Sequence, residues 1–167
     1  MDLFPFLLFA HVLGAIIAFG PAFSFPIIGA MGGAEPVHGN FATRLSLRLS
    51  HVQVTPLAIL QGITGVGLIL SRNIDVTKAT WLLIAIVLYL IALSYAIFVQ
   101  TPTVKKVVAM TTPPPGGAPG GPPAGGPPAG GPPPELMALI KRVQQGGMLL
   151  AALIVTIVFL MVVKPTF

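Results

Sequence analysis

No cysteine occurs anywhere in the chain. Disulfides, thiolate metal sites and thiol nucleophiles are therefore excluded together. Charge is nearly as scarce: 8% of the 167 residues are Asp, Glu, Lys or Arg, against about 25% in an average soluble domain. So few charges cannot coat a water-exposed surface of this size. The four carboxylates, Asp2, Glu35, Asp75 and Glu135, all fall outside the long apolar runs. Proton-coupled transport through a buried Asp or Glu thus has no carrier. An HExxH pair, a lysine-bearing phosphate loop and a Ser-His-Asp arrangement are also missing. GITGVG at 62–67 looks like a glycine loop but sits inside an apolar run, where it reads as packing glycine. The six methionines are scattered, with no repeated pair suited to copper.

Residues 3–34, 49–71, 79–104 and 143–163 contain no charged side chain. Each window exceeds the roughly 20 helical residues that cross a hydrocarbon core of ~30 Å. The expected fold is all-α: a single polytopic membrane domain over 1–167, with four transmembrane helices at about 3–31, 44–70, 79–99 and 140–163. The net charge of +5 then reflects the basic bias of membrane loops, and nucleic acid is not an expected partner. The only early charge is Asp2 and the first apolar run is far longer than a signal-peptide core, so it reads as a retained span. Arg44, Arg48, Lys105, Lys106, Lys141 and Arg142 fall on one side, and Arg72, Lys78 and Lys164 on the other. Six against three places both termini outside the cytoplasm.

Pro21 and Pro26 predict a kink or early end in span one. Residues 32–40 (GGAEPVHGN) and 71–78 (SRNIDVTK) have turn chemistry. The stretch 113–134 is built only of Pro, Gly and Ala, with GGPPA at 120–124 and again at 125–129. Proline at this density forbids a membrane helix, so the stretch reads as a polyproline-type spacer, with a docking role as the alternative.

Helical projection places Ala10, Gly14, Ala18 and Ala22 on one small-residue ridge of span one, with His11 beside it. In span two, His51, Thr55, Ala58, Gly62 and Gly65 share a sector that Arg44 and Arg48 extend. Gly14, Ala18, Gly62 and Gly65 are accordingly the expected packing positions. Ala85, Tyr89, Ala92 and Ala96 form the stripe of span three, and 144–147 (QQGG) with Ala151 and Ala152 that of span four. His11 and His51 are the only ionisable residues placed inside the bundle, and imidazole is a common ligand for iron and other metals. Their levels differ by ~16 Å along the axis, too far apart to ligate one haem together. Single-histidine sites remain, with Arg44 and Arg48 positioned to pair with haem propionates beside His51. The competing reading is structural. His11 would bond Gln61, Thr64 or Thr156, His51 would bond Tyr89, Gln144 or Gln145, and the arginines would reach lipid phosphates.

HVLGAIIAFG at 11–20 and the basic entry RLSLRLSHV at 44–52 resemble a bacterial integral-membrane family, domain of unknown function 2269. The resemblance implies a four-helix protein of the bacterial inner membrane and leaves the activity open. More distantly, the pattern is similar to the copper-resistance D and HemJ-type membrane families. The latter implies haem b and porphyrinogen oxidation with a histidine in helix one, which His11 matches. No lysine occurs in spans one to three, a departure from that pattern.

Three functions follow as expectations. The first is a non-enzymatic accessory or structural subunit that packs in the lipid bilayer against other membrane subunits. The second is a haem b-binding redox or porphyrin-handling protein, and the third a small-solute transporter.

Overall fold

The computed structural model describes residues 2–112 and 132–166. Among them stand four long helices, each apolar enough to cross a membrane: α1 Phe4–Ala34, α2 Gly39–Ser71, α3 Thr80–Thr111 and α4 Pro134–Val163. At ~1.5 Å per residue each is ~45–50 Å long, well beyond a core of ~30 Å. The excess lies mostly at one end, where α2 and α3 each continue about ten residues past the apolar stretch that defines the span. Most of the spacer expected at 113–134 falls outside the described residues.

The chain runs as two antiparallel hairpins. α1 packs most extensively on α2, and α4 on α3. The first hairpin turns tightly through Pro36–His38. There Gly39 faces the Gly32 carbonyl so closely that an added Cβ would stand 3.1 Å from its oxygen. At the opposite end Arg72 joins the two helix termini. Its guanidinium lies 3.7 Å from Asp2 and 3.9 Å from the centroid of the Phe4 ring. The second hairpin closes similarly, with the Lys164 ammonium 5.6 Å from the Trp81 ring. Between hairpins, the turn after α2 is ordered by Asp75, which accepts from the Thr77 hydroxyl at 2.6 Å and its backbone N–H at 3.1 Å. These bonds hold the Asp75 carboxyl below its ordinary pKa.

The hairpins meet chiefly toward the basic end. There the first turns of α2 pack on the last turns of α3, and Asn40 donates to the Thr111 hydroxyl at 2.8 Å. Thr103, Val104 and Val107 are buried in this region. In the opposite half α2 and α3 separate, and few side chains are fully enclosed. The core there is made of small groups, Gly14, Ala18, Ala58 and Ala85, with Gln61, Thr64 and Leu82. Small inward faces draw the backbones together, while large apolar residues such as Phe9, Ile16, Ile63 and Val158 point outward.

Both central helices widen in mid-course. A π-helical turn occupies Ser50–Val54 in α2 and another Ala96–Gln100 in α3. Each ends two residues before a proline, with a threonine between, in VQVTP at 52–56 and VQTP at 99–102. Proline lacks an N–H and its ring presses on the carbonyl four residues back, so a regular helix cannot run through it unaltered. The wide turn accommodates that misfit. The N–H of Thr55 reaches Ser50, and both the N–H and the hydroxyl of Thr101 reach Ala96. One extra residue in a turn shifts the phase of everything beyond it by about 100°.

Candidate functional site

The polar side chains within the bundle form a belt along the helix interfaces, and three glutamines carry it. Gln61 donates to the His11 carbonyl at 2.8 Å, joining α2 to α1. Gln53, within the α2 wide turn, donates to the Ile17 carbonyl at 2.8 Å. Gln100, within the α3 wide turn, donates to the Val143 carbonyl of α4 at 2.9 Å. Between hairpins, the Tyr89 hydroxyl donates to the Ala58 carbonyl at 2.9 Å. Three of these four groups, all but Gln53, lie over a glycine. A Cβ on Gly14 would stand 2.5 Å from Gln61 Nε2, and one on Gly62 would stand 2.7 Å from the Tyr89 hydroxyl. One on Gly146 would meet both Gln100 Oε1 and, at 2.7 Å, the Tyr95 hydroxyl. The glycines are thus the spaces in which the polar groups sit.

His11 is half-buried between α1 and α2, with Nδ1 2.8 Å from the Thr64 hydroxyl oxygen. That hydroxyl has one proton and three acceptors in reach: His11 Nδ1 and the backbone carbonyls of Leu60 (3.0 Å) and Gln61 (3.2 Å). Either it donates to Nδ1, or it keeps its proton on its own helix and accepts from Nδ1–H; the second arrangement leaves the His11 lone pair on Nε2. Gly65 lies against the ring, where a Cβ would stand in ordinary van der Waals contact, 3.5 Å from His11 Cε1.

His51 is placed differently from its sequence expectation. It is exposed, as are Arg44 and Arg48. The projection that put these three in one sector with Ala58 and Gly62 assumed an unbroken helix, and the wide turn at Ser50–Val54 interrupts it. Beyond that turn, Ala58, Gln61 and Thr64 face inward while Arg44, Arg48 and His51 face out. Tyr89, one expected partner of His51, bonds Ala58 instead. Thr64, the partner of His11, stands 13 residues from His51 along α2, or ~20 Å, so the structure does not bring the two histidines together. Among the described residues no three His, Asp or Glu converge as a metal site.

Of the expected packing positions, Gly14 and Ala18 are buried, and Gly62 and Gly65 lie against Tyr89 and His11. Two ridges are shorter than expected. Ala10 is exposed at the end of the first, and in α4 only Gly146 of 144–147 is buried. Gln53, Tyr95 and Gln100 were not expected at all. The sequence signal for the two glutamines is their place just ahead of a mid-span Thr-Pro, once in each central helix; Tyr95 carries none.

Residues 5–112 match the model of a family described as a predicted integral membrane protein, DUF2269. The chain belongs to this family. The match takes in α1, α2 and α3, with His11, both wide turns and the Arg44–Arg48 pair, and stops before α4. No curated protein and no solved structure matches the chain. Membership therefore agrees with an integral membrane protein of four apolar helices and assigns it no chemistry.

Proposed function

We propose that this protein is a non-enzymatic subunit of a larger complex in the bacterial cytoplasmic membrane, with the Arg44 end in the cytoplasm. The observation that carries this reading is the engagement of the belt. Gln53, Gln61, Tyr89 and Gln100 are all bonded to backbone carbonyls of neighbouring helices, and Thr64 reaches α1 through His11. Among the described residues no buried side-chain polar atom lacks a partner. Side chains so used hold helices together and are not free to bind a solute or move a proton. Solute transport has correspondingly less support. The test is the mass of the particle extracted from native membranes in a mild detergent. A stoichiometric assembly with a distinct polypeptide is expected, and a particle of this chain alone overturns the reading.

A second reading, haem b on a single histidine, rests on the contact between His11 Nδ1 and the Thr64 hydroxyl. Iron-ligating histidines characteristically donate one ring N–H to a fixed acceptor and present the other nitrogen to the metal. His11 meets the first requirement when the Thr64 hydroxyl keeps its proton on the Leu60 or Gln61 carbonyl and accepts from Nδ1–H. A bound haem would supply one-electron chemistry, and Thr64 would fix the orientation of the ligand. A Soret band at stoichiometric intensity that His11→Ala removes and His51→Ala leaves would establish it. A colourless protein from haem-replete cells excludes it.

A further inference from the structure

The arginine stripe on α2 is the largest feature that the packing belt does not explain. Arg44, Arg48 and His51 follow one another at i, i+4 and i+7, and all three are exposed. Neither arginine forms an ion pair among the described residues, where the pairs are Asp2–Arg72, Asp75–Lys78 and Glu35–His38. On the same outer side of the helix, Phe41, Leu45 and Val52 are 59%, 37% and 62% exposed. Basic heads thus stand beside an unpartnered apolar flank.

Depth gives the stripe its meaning. Counting down α2 from Leu70, His51 lies ~28 Å, Arg48 ~33 Å and Arg44 ~39 Å below the opposite end of the apolar core. A hydrocarbon layer of ~30 Å puts its polar boundary between His51 and Arg48. Val52 stands on the acyl side of that boundary and Arg44 in the headgroup layer. We propose that Arg44, Arg48 and His51 form a binding stripe for the phosphate of an anionic phospholipid, whose acyl chain lies along Val52.

The other basic pairs at this end differ in chemistry. Lys105 and Lys106 are consecutive, so they diverge around their helix and offer point charges. Lys141 and Arg142 line a shallow cleft of ~390 Å³ together with Glu135, whose negative charge partly offsets theirs. Arg44 and Arg48, one turn apart on one face, can each present a planar fork to phosphate oxygens. The wide turn at Ser50–Val54 is what turns this face outward.

The experiment compares the intact protein in phosphatidylcholine bilayers with and without phosphatidylglycerol, reading bound lipid by native mass spectrometry. The wild type is expected to retain phosphatidylglycerol selectively. The Arg44→Gln, Arg48→Gln pair should weaken that retention about thirtyfold. The Lys105→Gln, Lys106→Gln pair removes the same charge and should weaken it only a few-fold. No lipid preference in the wild type, or equal loss in both pairs, overturns the proposal. So does displacement of the lipid by glycerol 3-phosphate at matching concentration, which would leave the acyl chain no part. A haem absorption band that disappears with the arginine pair would assign the stripe to haem carboxylates instead. Melting in phosphatidylcholine alone checks folding. If the glutamine pair melts lower there, Arg44→Lys with Arg48→Lys keeps the charge without the fork and should still lose most of the selectivity.

Discussion

Gln53 of α2 donates its amide to the carbonyl oxygen of Ile17 in α1, at 2.8 Å. Ile17 stands four residues before Pro21, so this is the carbonyl that the proline leaves without its helical donor. One helix repairs a defect in its neighbour, and the repairing glutamine sits in the wide turn that accommodates a proline of its own, Pro56. The defects share a level. Pro21 lies ~26 Å below the start of α1, the wide turns ~24–32 Å below the corresponding ends of α2 and α3, and Gly146 ~26 Å below the end of α4. All four helices are irregular or closely approached at one depth, and Gln53 and Gln100 bond across it.

The repair can be measured as a coupling. Gln53→Leu should destabilise the protein by about 0.6–1.7 kcal/mol, the range of interhelical hydrogen bonds in membranes. Pro21→Ala restores an N–H for Ile17, so in that background the glutamine should matter less. A double-mutant cycle on melting in detergent is expected to show most of the Gln53 effect as coupling. Purely additive effects would mean that Gln53 acts through packing alone.

The glycines under the belt give a second prediction. Gly14→Leu and Gly62→Leu would push bulk into Gln61 and the Tyr89 hydroxyl, and overpacking typically costs about 1–3 kcal/mol. Gly146→Ala should behave likewise against Gln100. Leucine at the exposed Val12, or alanine at Gly20 and Gly147, which have nothing within 4 Å of an added Cβ, should be nearly neutral. Equal melting temperatures across the set would sink the face assignment.

Composition made the class legible, because four charge-free windows of membrane length admit few other folds. The inner faces of α1 and of the far half of α2 were readable from small-residue spacing, since Gly14, Ala18 and Ala58 lie on unbroken helix. His51 was not. Its direction depends on a wide turn, and a fixed 100° step cannot represent a turn that holds one residue more. The warning was present in Thr55-Pro56 and Thr101-Pro102, but a proline predicts a fault without saying whether the chain kinks, breaks or widens. The hydrogen bonds of the glutamines were also hidden. Their acceptors are backbone carbonyls on other helices, and those carry no side-chain signature. His11 was legible to the level of its partner, because Thr64 was among the few polar groups at its depth.

The Pro/Gly tract should be replaceable. Exchanging residues 113–131 for a Gly/Ser segment of equal length is expected to leave melting of the isolated protein nearly unchanged. A flexible segment of that length spans ~24 Å on average, ample for neighbouring helices whose axes pack about 8–10 Å apart. The ends it joins have their own anchors: Thr111 and Thr112 are held by Asn40, and α4 begins at Pro134 with proline in its first turn. A markedly lower melting temperature would show that the tract packs on the bundle. Unchanged melting with loss of a co-purifying subunit would make it a docking segment.

Orientation is the last prediction, and the absence of cysteine makes it simple to test. Six of the nine basic residues lie at the end that carries the α1–α2 turn and the start of α4. Basic loops are retained in the cytoplasm, so that end should face inward and both termini outward. Two single-cysteine variants report the two ends. Val37 lies in the α1–α2 turn at 87% exposure, and Thr166 is exposed beyond α4. Neither position bears on a helix interface, so both variants should fold as the parent does. A membrane-impermeant maleimide applied to intact cells with a permeable outer layer should label Thr166→Cys and leave Val37→Cys unmodified. After lysis both should react, which shows that the silent thiol was shielded by the membrane and not by the protein. Labelling of Val37→Cys alone in intact cells would invert the topology and place the arginine stripe in the opposite leaflet. The helix pairing would stand, because the bonds that hold it do not depend on which way the bundle faces.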